Sequence, residues 1–172
     1  MSSPGIFYIT GAESTGKSTL TRQLAERFDG YPVYEFAREY LSAQPGTFTR
    51  QDLDRIAVAT IERFHEYRFK QPVFFDTDLF NLIVWYDEVF HEVPAWLLKE
   101  VSLIGPGFYL VCQPDIPWVQ DPLRVNPDKR DYLNARYEEL IKKHNFPYAR
   151  IIGEGDDRLA CAIRFVTSII ES

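Results

Sequence analysis

The sequence has little of what marks several functional classes. It holds two cysteines, Cys112 and Cys161, with no C-x-x-C spacing. Two are too few for a disulfide framework, and they read as reduced core residues of a cytoplasmic protein. No apolar run nears the ~20 residues of a spanning helix, so no membrane partner is expected. The first apolar run, Ile6–Ile9, is too short for a secretory signal and lacks basic residues ahead of it. Basic residues do not dominate: 19 Lys and Arg face 25 Asp and Glu, a net charge of −6. That balance argues against nucleic acid as a partner while leaving room for a local basic pocket. His65, His91 and His144 share no metal-ligand spacing. Repeats, low-complexity tracts and long linkers are absent, so residues 1–172 read as one domain, with no oligomeric state implied.

What is present is apolar and aromatic. Hydrophobic residues make up 45%, with 13 Phe and 10 Tyr, enough for a sizeable core rich in rings. Short apolar runs alternate with helical periodicity. Strands are expected at Ile6–Ile9, Val33–Phe36, Val73–Phe75, Phe108–Val111 and Ala149–Ile152. Helices are expected at Lys17–Phe28, Ala37–Ala43, about Arg50–Phe69 after a Thr49 cap, Leu79–Phe90, Ala95–Ile104 and Lys129–His144, with a last helix after Gly153 and Gly155. Such alternation implies right-handed crossovers and a mostly parallel sheet with helices on both faces, an α/β fold. Ligands in these folds sit at the carboxyl ends of the strands.

Gly11-Ala12-Glu13-Ser14-Thr15-Gly16-Lys17-Ser18 fits G-x-x-x-x-G-K-[ST] without mismatch, between a strand and an amphipathic helix. Glycines let the backbone approach phosphates, and loop amides with the helix N-terminus face the anion. Lys17 would reach the β and γ phosphates, and Ser18 would ligate magnesium. Candidate nucleotide contacts are therefore Gly11, Glu13, Ser14, Thr15, Gly16, Lys17, Ser18 and, on the first helical turn, Thr19.

Asp76-Thr77-Asp78 follows the third apolar run, as in a Walker-B pattern that brings a carboxylate to the metal. Carboxylates at i and i+2 allow one to hold metal-bound water and the other to accept a hydroxyl proton. Spacing leaves open which does which, and Asp78 equally suits a helix cap before Leu79. Arg38, Glu39 and Tyr40, at the helix start after the second strand, are candidates to clamp and stack on a substrate. The long loop Gln113–Asp128, punctuated by Pro114, Pro117, Pro122 and Pro127, has the length of a functional loop. It carries Arg124 and is followed by Lys129 and Arg130, so it reads as a lid that neutralises a transferring phosphoryl group and excludes water.

Four motifs together resemble the NadR-type nicotinamide riboside kinase domain of the P-loop kinase superfamily. They are residues Gly11 to Ser18 with Glu13 inside, Glu35-Phe36-Ala37-Arg38-Glu39-Tyr40-Leu41, Asp76-Thr77-Asp78, and Pro114-Asp115-Ile116-Pro117-Trp118-Val119-Gln120-Asp121-Pro122-Leu123-Arg124. The resemblance spans the chain from Ile6 to the last helix. It implies a three-layer P-loop kinase fold with a five-stranded parallel sheet in the order 2-3-1-4-5 and a lid. It also implies ATP- and Mg²⁺-dependent phosphorylation of the 5′-hydroxyl of nicotinamide riboside, a small nucleoside partner, giving the mononucleotide of NAD salvage. On that pattern Asp76 or Asp78 lies near the hydroxyl and the metal, with Ser18 and Asp76 as metal ligands. Arg38, Glu39, Tyr40 and Asp78 line the riboside pocket, and Lys17, Arg124 and Arg130 stabilise transfer. The turn Gly153–Arg158 holds adenine, with Arg158 as a nucleotide contact. Pro122 stands where the family's lid often has glycine. Met1–Pro4 leave no room for the adenylyltransferase domain often joined to such kinases, so this chain is not expected to make NAD itself. Two other readings stand beside this one: a kinase for another nucleoside or nucleotide, and a nucleotide-dependent switch. The lid and the lack of an N-K-x-D guanine signature weigh against the switch.

Overall fold

A computed structural model describes residues 5–44, 46–105 and 107–172; the Met1–Pro4 stretch read above lies outside them. In chain order the elements are β1 (Ile6–Thr10), α1 (Lys17–Phe28), β2 (Tyr31–Val33), α2 (Phe36–Ser42), α3 (Arg50–Tyr67) and β3 (Val73–Asp76). They continue with α4 (Leu79–Phe90), α5 (Ala95–Leu103), β4 (Phe108–Cys112), a 3₁₀ turn at Pro127–Lys129, α6 (Arg130–Lys143), β5 (Tyr148–Ile151) and α7 (Gly155–Ile170). The five strands are parallel and ordered β2-β3-β1-β4-β5. This is the sheet order of the expected P-loop kinase fold.

The aromatic richness is explained by strand register. Phe7 lies opposite Phe74 and Phe108, and Tyr8 opposite Phe75 and Tyr109. Adjacent positions point to opposite faces, so each face carries its own ring ladder. On one face Phe108, Phe7 and Phe74 have centroids 5.6 and 5.1 Å apart, and α1 and α7 cover them with Leu20, Leu24, Ala162 and Val166. On the other, Tyr109, Tyr8 and Phe75 are 4.9 and 5.6 Å apart, under Leu53 and Ile56 of α3, Phe80 and Ile83 of α4, and Leu97 of α5. Such ring pairs add about 0.5–1.5 kcal/mol each beyond the area they bury. Both faces of the central strands are dry, which rigidifies the strand ends that carry the site.

The second strand differs from its expected place. It spans Tyr31–Val33 rather than Val33–Phe36, with Val33 opposite Phe75. Pro32 lies within the strand because β2 is at the sheet edge, where a missing N–H costs nothing to a ladder. Gly30 precedes it at a close approach: a Cβ there would sit 2.6 Å from the Pro72 carbonyl. The earlier strand end releases Glu35 to the N-cap position of α2, at the mouth of the site. Elsewhere the expected boundaries hold within two residues; α1 and α4 match at both ends.

Candidate active site

The phosphate loop turns between β1 and α1 on left-handed residues. Gly11 has φ 139°, and a Cβ there would meet the Cys112 carbonyl at 2.6 Å, so only glycine fits. Gly16, the N-cap of α1, has φ 79° and offers no side-chain cap. The first-turn amides of α1, including those of Ser18 and Thr19, are thus left to an anion. Thr15 Oγ1 donates to the Ala12 carbonyl at 2.8 Å, and Lys17 Nζ donates to the same oxygen at 2.8 Å. Asn134 of α6, which belongs to none of the four motifs, holds the loop from behind. Its Oδ1 accepts from the Ala12 amide at 2.6 Å and its Nδ2 donates to the Cys112 carbonyl at 2.9 Å.

Asp76 ends β3 beside β1, and its Oδ2 accepts from Ser18 Oγ at 2.5 Å. It is buried, and burial raises its carboxyl above the usual range even though Lys17 pulls it down. The loop and the third-strand carboxylate therefore meet as the motifs implied.

Asp78 takes the capping role. It is the N-cap of α4 in a reciprocal capping box with Asn81, and its Oδ2 accepts from the Tyr109 hydroxyl at 2.8 Å. Burial pushes its carboxyl up to about 6, against the pull of Tyr109 and of the Phe80 and Asn81 amides. Among the described residues the Glu35 carboxylate has no hydrogen-bond partner. It lines a cleft with Phe36, Arg63, Asp76, Thr77 and Asp78. Burial first, and the charge of Asp76 second, push Glu35 up to about 7. Its sequence signal was its place beside the motif residues Arg38 and Glu39.

The expected riboside residues separate. Arg38 faces the lid: its Nη1 and Nη2 each donate to Asp121 Oδ2 at 3.0 Å. Glu39 turns outward and accepts from Arg63 at 2.8 Å. Tyr40 packs back on α3, donating to Asp52 Oδ1 at 2.7 Å and accepting from Arg55 at 3.0 Å. Neither Glu39 nor Tyr40 lines the cleft, because α2 leans on α3 and those positions face it.

The loop after β4 folds over the phosphate loop, as a lid should. Arg124 Nη1 lies 3.5 Å from Ser14 Oγ and donates to the Val119 carbonyl at 2.9 Å. Arg130 Nη1 donates to the carbonyls of Ser14 at 3.2 Å and Ile116 at 3.0 Å, with its guanidinium 5.8 Å from the Trp118 ring centre. Glu13 reaches into the lid and accepts from the amides of Val125 and Asn126.

Arg158 is a correction. Expected at an adenine, it is 5% exposed and inside the fold. Nε donates to Gly153, Nη1 to Thr15 and Ile151, and Nη2 to Gln113 and the Asp115 carboxylate. All five N–H donors are engaged, which leaves none for a base. The side chain instead ties the phosphate loop to the ends of β4 and β5.

The hard-oxygen pair Ser18 and Asp76 suits Mg²⁺, which usually takes one or two protein oxygens and completes its shell from phosphates and water. Among the described residues, no group of three or more His, Cys, Asp and Glu could hold a metal ion. No helix of the described residues is long and apolar enough to cross a membrane.

Known proteins resemble this chain in sequence and in fold. The trifunctional NAD biosynthesis/regulator protein NadR of Escherichia coli strain K12 is 26% identical over 162 residues, covering 87% of this chain and 38% of NadR. The chain thus spans well under half of that relative. A crystal structure of NadR protein in complex with NR aligns with TM-score 0.82 at 21% identity, over 99% of this chain and 52% of that one. A NadR structure in complex with NAD and AMP-PNP aligns with TM-score 0.78 at 19% identity, over 99% and 50%. The similarity to NadR expected from the four motifs is met in sequence and in fold. A family model described as AAA domain matches residues 6–158, most of the chain, and the protein belongs to that family.

Proposed function

We propose that this protein is a kinase that transfers the γ-phosphoryl group of ATP to the 5′-hydroxyl of a nucleoside, with nicotinamide riboside as the acceptor. One observation carries the reading: the Glu35 carboxyl lines a cleft together with Asp76, the carboxylate that meets Ser18 of the phosphate loop. A switch that only hydrolyses nucleotide has no use for such a cleft. The choice of acceptor rests on the similarity to NadR, one structure of which holds NR. The use of ATP is supported by the NadR structure with AMP-PNP.

In this mechanism Lys17 reaches the β and γ phosphates, and the α1 amides cradle them. Ser18 and Asp76 would hold Mg²⁺, which supplies charge neutralisation across the phosphates. Glu35 accepts the proton of the acceptor hydroxyl as its oxygen bonds to the γ-phosphorus and the bond to the β–γ bridging oxygen breaks. A base near pH 7 is matched to that task. Arg124 and Arg130, already at Ser14, move onto the equatorial oxygens of the phosphoryl group. Asp78 sets the direction of α4 and stays out of the chemistry.

The test is direct. Purified protein with ATP and magnesium is offered nicotinamide riboside and a panel of other nucleosides, and products are separated by mass. Nicotinamide mononucleotide formed at the highest kcat/KM supports the reading. Phosphorylation of a different nucleoside with nicotinamide riboside untouched overturns the acceptor. Hydrolysis unaffected by any acceptor overturns the kinase.

A further inference from the structure

Its place in the phosphate-loop motif makes Glu13 a candidate nucleotide contact. Its carboxylate is fully employed elsewhere. Oε2 accepts from the Val125 amide at 3.1 Å and the Asn126 amide at 3.0 Å, and Oε1 from Asn126 Nδ2 at 3.4 Å. The neighbouring Ser14, held at φ 56°, accepts the Val119 amide at its Oγ, 2.9 Å away. The two limbs of the lid are thereby tied to two consecutive residues of the phosphate loop. The lid's root is fixed independently: Asp115 accepts from the Gly153 amide at 2.8 Å and pairs with Arg158. A carboxylate beside a triphosphate is repelled unless donors neutralise it, and here two amides and a side-chain N–H do so.

We propose that Glu13 is a positioning residue that latches the descending limb of the lid, holding Arg124 and Arg130 over the phosphate loop, rather than a ligand of the nucleotide. This deepens the kinase reading and rests on it for its catalytic consequence. The latch is built from protein groups alone, and it holds the lid arginines beside Ser14. Opening for nucleotide entry breaks the Glu13 contacts, and reclosing remakes them and shuts out water.

Hydrogen exchange of the nucleotide-free protein tests the latch without any assumption about the reaction. Amides of Val125 and Asn126 should exchange about tenfold faster or more in Glu13→Ala, the loss of charge-assisted bonds. Amides of β1 and α1 should be unchanged. Glu13→Gln keeps an acceptor oxygen and should restore most of the protection, which also guards against a folding defect in the alanine variant. In turnover, Glu13→Ala should raise the ratio of ATP hydrolysis to phosphoryl transfer about tenfold, with AMP-PNP affinity within about threefold of wild type. Unchanged exchange at Val125 and Asn126 overturns the latch. So does a loss of AMP-PNP affinity as large as that of Lys17→Ala. If the exchange result holds while no acceptor is phosphorylated, the kinase reading fails and the latch stands.

Discussion

Replacing Glu35 by glutamine tests the proposed chemistry most sharply. Burial and the charge of Asp76 lift its carboxyl from an ordinary 4.5 to about 7. As a base it must be ionised, so kcat should fall about tenfold per pH unit below 7, tracing a limb with an apparent pKa near 7. Glu35→Gln is nearly isosteric and cannot take the proton. It should lower kcat by about 10²–10⁴-fold, abolish the acid limb, and leave the KM for ATP within about threefold. Stability should move the other way. A folded-state pKa above the unfolded one contributes stability that is full below 4.5 and lost as pH rises through about 7. The shift corresponds to at most about 3 kcal/mol. Glu35→Gln should therefore be more stable than wild type at pH 8, by up to about that amount, and gain nothing at pH 4. Initial rates of nucleotide formation from pH 5.5 to 8.5, with urea melts at pH 4 and 8, supply the measurements. An acid limb that survives in Glu35→Gln at unchanged kcat would move the titration to Asp76 and refute the assignment.

Three further outcomes follow from the geometry. Asp78→Asn keeps a good cap and an acceptor for Tyr109, so kcat should stay within about threefold, whereas Asp78→Ala should cost about 1–3 kcal/mol in urea melts by stranding the Tyr109 hydroxyl and the Asn81 amide; a hundredfold loss of kcat in Asp78→Asn would restore it as a base. Arg158→Lys replaces five donors by three and should lose about 2–4 kcal/mol of stability by denaturant titration, with the KM for ATP nearly unchanged once the protein is folded. Lys17→Ala should remove phosphoryl transfer by about 10²–10³-fold or more with a stability change under about 1 kcal/mol, since its Nζ bonds only the Ala12 carbonyl; a loss of cooperative unfolding would contradict its role.

Much of this protein was legible in order of locality. Gly11 and Gly16 announce left-handed backbone wherever they occur in that motif, and helical amides after them bind anions in any surroundings. Thr49 and Asp52 form the reciprocal capping box of α3 across three residues, and the helical patterns expected for α1 and α4 are found at those positions. The one displaced strand, β2, was misread because edge position decides whether Pro32 is tolerated, and edge position belongs to the sheet.

The division within the site follows the same physical line. By itself the sequence determined the phosphate loop, the carboxylate that meets Ser18, and a lid with arginines, because each depends on residues within a few positions or at a strand end. Only the tertiary structure decided which acidic group stays free. Asp78 is taken by Tyr109 from β4, Tyr40 by Asp52 of α3, and Arg158 by carbonyls drawn from the phosphate loop and two strand ends. Among the described residues Glu35 has no such partner, and its burial and the charge of Asp76, distant in the chain, raise its proton affinity. Burial and hydrogen-bond partners set the proton affinity of a carboxyl, and no local pattern encodes either.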